Sequence, residues 1–155
     1  MTAGASVRAV GINGVDLIWP LLQDAFDPDY SEAWTVDQVV AALVLPQTIL
    51  LVCELAGRVV GFALVRTLLD ESELLLIALA RDVRRQGLGR FLLSQAIGHV
   101  RTMGGKRLFL EVRTNNSAVQ FYERQNFRLI GTRRDYYRKK DGKLIDAMTM
   151  VVDIN

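Results

Sequence analysis

The sequence predicts an α+β protein with a central mixed, mostly antiparallel sheet of about seven strands flanked by about four helices. Strand-length apolar runs separated by turn residues occur on both sides of the chain's middle. Between them, Leu88, Leu92, Ala96, Val100 and Met103 recur at steps of four and three, which is helical spacing. The order from Leu74 through Met103 to Leu110 is strand, helix, strand, so the two strands are expected to run parallel with a right-handed crossover. The 155 residues fit one domain over 1-155; with 50% hydrophobic and 23% charged residues, the chain has ample side chain for a core.

Ser6 to Gly11 reads as a strand and Val15 to Phe26 as a helix bent or split at Pro20. Thr35 starts a second helix, with Gln38 completing a capping box; it should end near Leu45, before Pro46. Thr48 to Leu55 and Arg58 to Leu68 form a hairpin about Ala56-Gly57, and Glu73 to Ala80 extends it into a meander after the polar turn Asp70-Glu71-Ser72. The long helix from Leu88 stops at Gly104-Gly105, and Lys106 to Arg113 returns as a strand. Asn115 is expected to cap a helix through Gln125, with Ala118, Phe121 and Tyr122 on one stripe. Strands Phe127 to Arg138 and Leu144 to Ile154 then meet at Asp141-Gly142.

Composition excludes several functions. Glu54, Arg58 and Arg66 interrupt the longest apolar stretch, Ile49 to Leu69, so no membrane span of roughly 18 residues is expected. Met1 to Arg8 lacks the apolar core of a secretory signal. A single cysteine, Cys53, permits no internal disulfide and suits a reducing compartment, hence an expected cytoplasmic location. It has no histidine to activate it for a ping-pong reaction. His99, the one histidine, has no second ligand at a useful spacing, so no metal is expected. A net charge of +2 argues against a polyanion binder, and Arg133 to Lys140 reads first as a solvated basic face, with contact to RNA or a ribosomal surface the alternative; no direct nucleic-acid function is expected.

The chemical signal is Arg84-Arg85-Gln86-Gly87-Leu88-Gly89 at the start of the long helix, followed by Arg90. Two glycines there let backbone N–H groups converge on an anion, helped by the helix dipole. A plain tight turn explains the glycines alone equally well. Leu92 stands at the third glycine position of a dinucleotide fingerprint, and no Gly-Lys-Ser or Gly-Lys-Thr is present, which removes hydride transfer and nucleotide hydrolysis.

With Ile77-Ala78-Leu79 before this loop, and Asn115-x-x-Ala118-x-x-x-Tyr122 with Asn126-Phe127 after it, nearly the whole chain resembles the GNAT acetyltransferase superfamily. Leu110-Glu111-Val112-Arg113, Arg134-Asp135-Tyr136-Tyr137 and Asp146-Ala147-Met148 are most similar to its bacterial ribosomal-protein-alanine N-acetyltransferase branch. Asn126 replaces a usual glycine and Asp135 a usual asparagine. The loop after Glu111 is one residue shorter than in the branch, leaving Asn115 and Asn116 both as candidates for the coenzyme contact.

The resemblance implies acetyl-CoA as cosubstrate and no metal. Its cradle would be Ile77, Ala78, Leu79, Arg84, Arg85, Gln86, Gly87, Leu88, Gly89, Arg90 and Asn115, with the Leu79 N–H stabilising the developing oxyanion. Glu111 corresponds to the general base, acting directly or through water. Alternation sets it with Phe109 opposite Leu108, Leu110 and Val112, and desolvation there would raise its pKa. A strand-end carboxylate paired with Arg113 or open to solvent is the bland alternative. Tyr122 corresponds to the acid that protonates the leaving thiolate; by helical spacing alone it is a core tyrosine.

Tyr136, Tyr137 and Tyr30 are the candidates for acceptor binding. Alternation sends the paired tyrosines to opposite faces, one at the peptide entrance and one in the core, while the acidic stretch Asp27 to Glu32 would attract a cationic amine. The implied acceptor is a protein N-terminus, that of a ribosomal protein beginning with alanine, by direct attack in a ternary complex. A small amine (polyamine, aminoglycoside or amino acid) is the alternative enzyme reading, and a non-catalytic CoA-binding module the alternative from another class. Monomer and homodimer are both compatible.

Overall fold

The structure is a computed structural model and describes residues 3–30 and 34–155. Among the described residues the strands are β1 (Ala5–Val10), β2 (Thr48–Leu55), β3 (Arg58–Leu68), β4 (Glu71–Leu79), β5 (Arg107–Arg113), β6 (Arg128–Arg138) and β7 (Leu144–Asp153). The helices are α1 (Trp19–Asp24), α2 (Val36–Val44), α3 (Leu88–Thr102) and α4 (Ala118–Arg124), with 3-10 turns at Ile12–Leu17 and Arg81–Val83. One sheet contains all the strands in the order β1-β2-β3-β4-β5-β7-β6. Every pairing is antiparallel except β4 with β5.

The local signals act as their chemistry requires. Gln38 N–H donates to Thr35 Oγ1 at 3.2 Å and Thr35 N–H to Gln38 Oε1 at 2.8 Å, a closed capping box worth about 1 kcal/mol. Ala56 and Gly57 both take positive φ, 51° and 76°, the geometry that suits a tight hairpin to strand twist. Pro20 departs from expectation. The apolar run breaks at Ile18, and Pro20 lies in the first turn of α1, where its missing N–H has no helical partner to lose.

The sheet separates two cores. Leu108, Leu110 and Val112 of β5 pack with Leu88, Leu92 and Ala96 of α3 and Tyr122 of α4. Ile18, Leu21 and Leu22 pack with Val39 and Ala42 of α2 against Leu50, Phe62 and Leu76 on the other face. The parallel ladder of β4 and β5 ends early: it pairs Glu71, Ser72 and Glu73 with Arg107, Leu108 and Phe109 and goes no further. Beyond that point the strands form a fork, with α3 beginning on one side of it. Leu75 is the extra residue of a bulge in β4 just past the last pair.

Candidate active site

The loop after β4 leads into α3 with Gly87 at φ 86°, a left-handed conformation that suits glycine. Arg85 is also left-handed, at φ 63°. No described side chain caps α3, and its first internal bond runs from Phe91 N–H to the Gly87 carbonyl at 3.1 Å. The N–H groups of Leu88, Gly89 and Arg90 therefore have no partner within the helix and concentrate its positive end. Leu88 is buried beneath, whereas Arg85 and Arg90 are exposed cations beside the turn. A Cβ on Gly89 would lie 3.6 Å from Leu79 Cδ1 and from the Phe121 ring, so the glycine keeps a narrow surface smooth. Uncapped donors, a glycine turn and flanking cations fit a pyrophosphate.

Arg84 has another task. Its Nε donates to the Leu79 carbonyl at 3.2 Å and its Nη2 to the Ala25 carbonyl at 3.0 Å, while Arg81 donates twice to the Asp24 carbonyl at 3.1 and 2.9 Å. These arginines satisfy carbonyls at the C-terminus of α1 and tie it to the loop. Burial, then the neighbouring Arg81, lowers the Arg84 pKa, offset in part by Asp24. Leu79 is held in an orientation that matters. Ala80 N–H donates to the Val60 carbonyl at 2.7 Å, so strand alternation turns the Leu79 N–H the opposite way, into the fork.

Glu111 and Tyr122 flank the fork from opposite faces. Because Leu108, Leu110 and Val112 face α3 and α4, Phe109, Glu111 and Arg113 face the α1–α2 side. Glu111 Oε1 lies 2.9 Å from Arg133 Nε in an ion pair, and its side chain is 22% exposed. Its partner is thus Arg133 on β6 rather than Arg113, and the carboxylate is both mostly shielded from solvent and ion-paired. Tyr122 is buried edge-on between Phe121 and Phe127, at centroid distances of 5.4 and 5.5 Å.

The residues expected to meet the acceptor divide into two groups. Tyr30 is only 8% exposed; the Arg113 guanidinium lies 3.8 Å from its ring centroid, Asn115 Nδ2 donates to its hydroxyl at 2.8 Å, and its backbone bridges to Lys139. It locks the segment before α2 to the hairpin of β6 and β7. Asn115, accepting from Arg113 Nη1 at 2.9 Å, belongs to this lock and does not cap α4. Ser117 stands at the N-cap without a side-chain bond, and the first helical N–H, of Ala118, is taken by Asn116 Oδ1 at 2.8 Å. Ser31 and Glu32 of the acidic stretch lie outside the described residues.

Tyr136 and Tyr137 do not split between faces. Their rings meet edge-on at 5.1 Å because β6 bulges: Arg133 pairs with Ala147 and Tyr137 with Ile145, so residues 134–136 face Asp146 alone. Asp135 takes φ 54° there, and its N–H donates to Asp146 Oδ1 at 2.9 Å. Tyr136 is 48% exposed and Tyr137 partly buried, so neither is a core residue. Arg133, read from the sequence only as part of a basic run, links Glu111 to this pair, with its Cζ 5.3 Å from the Tyr136 ring centroid.

Cys53 is fully buried in β2, and among the described residues no group of acidic, histidine or cysteine side chains is placed to hold a metal. A groove of about 550 Å³ between α1 and the ends of β3 and β4 is lined by Leu17, Leu21, Arg58 and Arg81 and contains neither Glu111 nor Tyr122.

A profile of the acetyltransferase (GNAT) family matches residues 18–127, which span α1, the phosphate loop, the fork and α4. The chain belongs to the GNAT acetyltransferase family. This GNAT enzyme is an acetyl-CoA-dependent N-acetyltransferase. Over 100 residues, 64% of this chain and 67% of the relative, it is 40% identical to the [ribosomal protein bS18]-alanine N-acetyltransferase of Escherichia coli (strain K12). The Haemophilus influenzae protein of the same name is 37% identical over 94 residues, 61% of this chain and 64% of the relative. The crystal structure of the ribosomal-protein-S18-alanine N-acetyltransferase from Escherichia coli superimposes with a TM-score of 0.87 at 28% identity, covering 97% of this chain and 94% of that one. The yncA protein of Salmonella typhimurium, solved with its cofactor acetyl-CoA, has the same fold, with a TM-score of 0.76 at 19% identity, covering 98% of this chain and 95% of that one. Among the described residues no helix is long and apolar enough to cross a membrane.

Proposed function

We propose that this GNAT enzyme acetylates the α-amine of a protein N-terminus, the alanine end of a ribosomal protein, by direct transfer in a ternary complex. The observation that carries the reading is the fork between β4 and β5, with an uncapped phosphate loop beside it and Glu111 and Tyr122 on its two sides. The names of the relatives that cover two thirds of their own length support the choice of acceptor.

The N–H groups of Leu88, Gly89 and Arg90 bind the pyrophosphate, with Arg85 and Arg90 as flanking charges. The backbone from Ile77 to Leu79 holds the pantetheine arm along the free edge of β4. Bound there, acetyl-CoA supplies the thioester carbonyl as the electrophile. The Leu79 N–H, steadied through its carbonyl by Arg84, is aimed at the carbonyl oxygen. Glu111 takes the proton that the ammonium must lose, directly or through water, and the Tyr122 hydroxyl delivers a proton to the sulfur. Tyr136 lines the acceptor entrance beside Tyr137, and Tyr30 with Asn115 shapes its wall.

Acceptor scope is the test. Incubation with acetyl-CoA and peptides beginning with alanine, serine or methionine, alongside a polyamine and an aminoglycoside, should give mass gain and free thiol with the alanine peptide foremost. Transfer to the small amines alone would replace this acceptor. Coenzyme binding without transfer to any amine would make the protein a binding module.

A further inference from the structure

Arg133 occupies the carboxylate on which the proposed reaction depends. Its Nε lies 2.9 Å from Glu111 Oε1, so a guanidinium cation already fills a position that an incoming ammonium would take. The pair sits at a boundary, with Arg133 60% and Glu111 22% exposed, which makes it breakable.

A second berth is built beside the first. In a regular strand, residues three apart point to opposite faces, which would keep residue 136 away from residue 133. The bulge at Arg134, Asp135 and Tyr136 cancels that alternation and sets the Tyr136 ring 5.3 Å from the Arg133 guanidinium carbon, within range of a cation–π contact. Its geometry is enforced: Asp135 is held left-handed at φ 54°, with its N–H tied to Asp146 Oδ1, and the same Asp146 accepts through its carbonyl from Thr114 N–H at the end of β5. The strand carrying Glu111 and the bulge carrying Tyr136 are thus fixed to one residue.

We propose that Arg133 is a positioning residue that holds the acceptor's place on Glu111 and yields it to an arriving cationic amine while staying held against the Tyr136 ring. This rests on the reading of Glu111 as the acceptor's partner. It makes positive charge a requirement for entry, since an amide or formylated terminus carries nothing that displaces a guanidinium from a carboxylate.

The test is steady-state kinetics with acetyl-CoA and an alanine-initiated peptide. Removing the competitor in Arg133→Gln should lower the peptide KM about two- to fivefold, the scale of one exposed ion pair, with kcat within about twofold. Arg133→Lys should return KM toward the wild-type value, because an ammonium still pairs with Glu111. Tyr136→Leu should raise KM by more in the wild type than in the Arg133→Gln background, as two residues acting in one exchange require. An unchanged or raised KM in Arg133→Gln, or a Tyr136→Leu effect equally large without Arg133, overturns the exchange if Glu111→Gln is inactive. Wild-type turnover in Glu111→Gln overturns the underlying reading as well.

Discussion

The Asn115 amide donates to the Tyr30 hydroxyl at 2.8 Å, joining positions 85 residues apart. Both positions were read from the sequence as ligand contacts, yet each is engaged with the other. Tyr30→Phe should therefore destabilise the fold by about 0.5–1.5 kcal/mol, measured by denaturant midpoint, and Asn115→Ala should leave coenzyme affinity unchanged. A Kd that weakens with Asn115→Ala would return that side chain to the coenzyme.

The phosphate loop separates steric from conformational demands. An added Cβ at Gly89 meets Leu79 and Phe121 at ordinary contact distance, so Gly89→Ala should fold normally while binding the coenzyme at least about tenfold more weakly. Gly87→Ala should in addition cost about 1–2 kcal/mol, because the residue sits at φ 86°. Calorimetric titration alongside thermal melts would show both.

Arg84 is expected to act through Leu79 rather than on phosphate. Arg84→Gln should lower kcat and leave the coenzyme Kd within about twofold. A loss confined to Kd would mean that its bonds to the Leu79 and Ala25 carbonyls are exchanged for the ligand.

Glu111→Gln should lower kcat/KM by about 10²-fold or more, the usual contribution of a placed base. Tyr122→Phe keeps the ring packed against Phe121 and Phe127, so its effect should fall on turnover, about tenfold or more, with coenzyme affinity nearly unchanged. Rates like those of the wild type in either variant would remove that residue from the reaction.

Burial, and then Glu54, raises the Cys53 pKa. A folded-state value above the unfolded one, about 8.5, gives stability that is complete below that pH and lost as pH rises through the folded value. Native protein at about pH 8 should therefore resist iodoacetamide while unfolded protein is alkylated. Rapid native labelling, or a Cys53→Ala variant without activity, would revive a thiol intermediate.

How far the sequence could be read depended on the range of the forces involved. The Thr35–Gln38 box, the Ala56-Gly57 turn and the stripe from Leu88 to Met103 depend on neighbours within a few residues, and each formed as its chemistry implied. The fork was legible only as a strand-helix-strand order, because where a parallel ladder stops is not a local property. Asn115 was drawn from the start of α4 by a long-range partner, Tyr30. Alternation misplaced Tyr136 and Tyr137 because the bulge at Asp135 depends on Asp146 across the sheet. Pairing of Glu111 with Arg133 joins strands β5 and β6, which are separated by β7, and nothing in either segment alone signals it.

The open end of the β4–β5 ladder makes the sheet a partition with a doorway in it. Mutations that reshape the wall around Tyr30 and Tyr136 are insulated, by the thickness of that partition, from the donor cradle at the start of α3. A lineage built on this plan can change which amine it modifies without renegotiating its hold on the acyl donor.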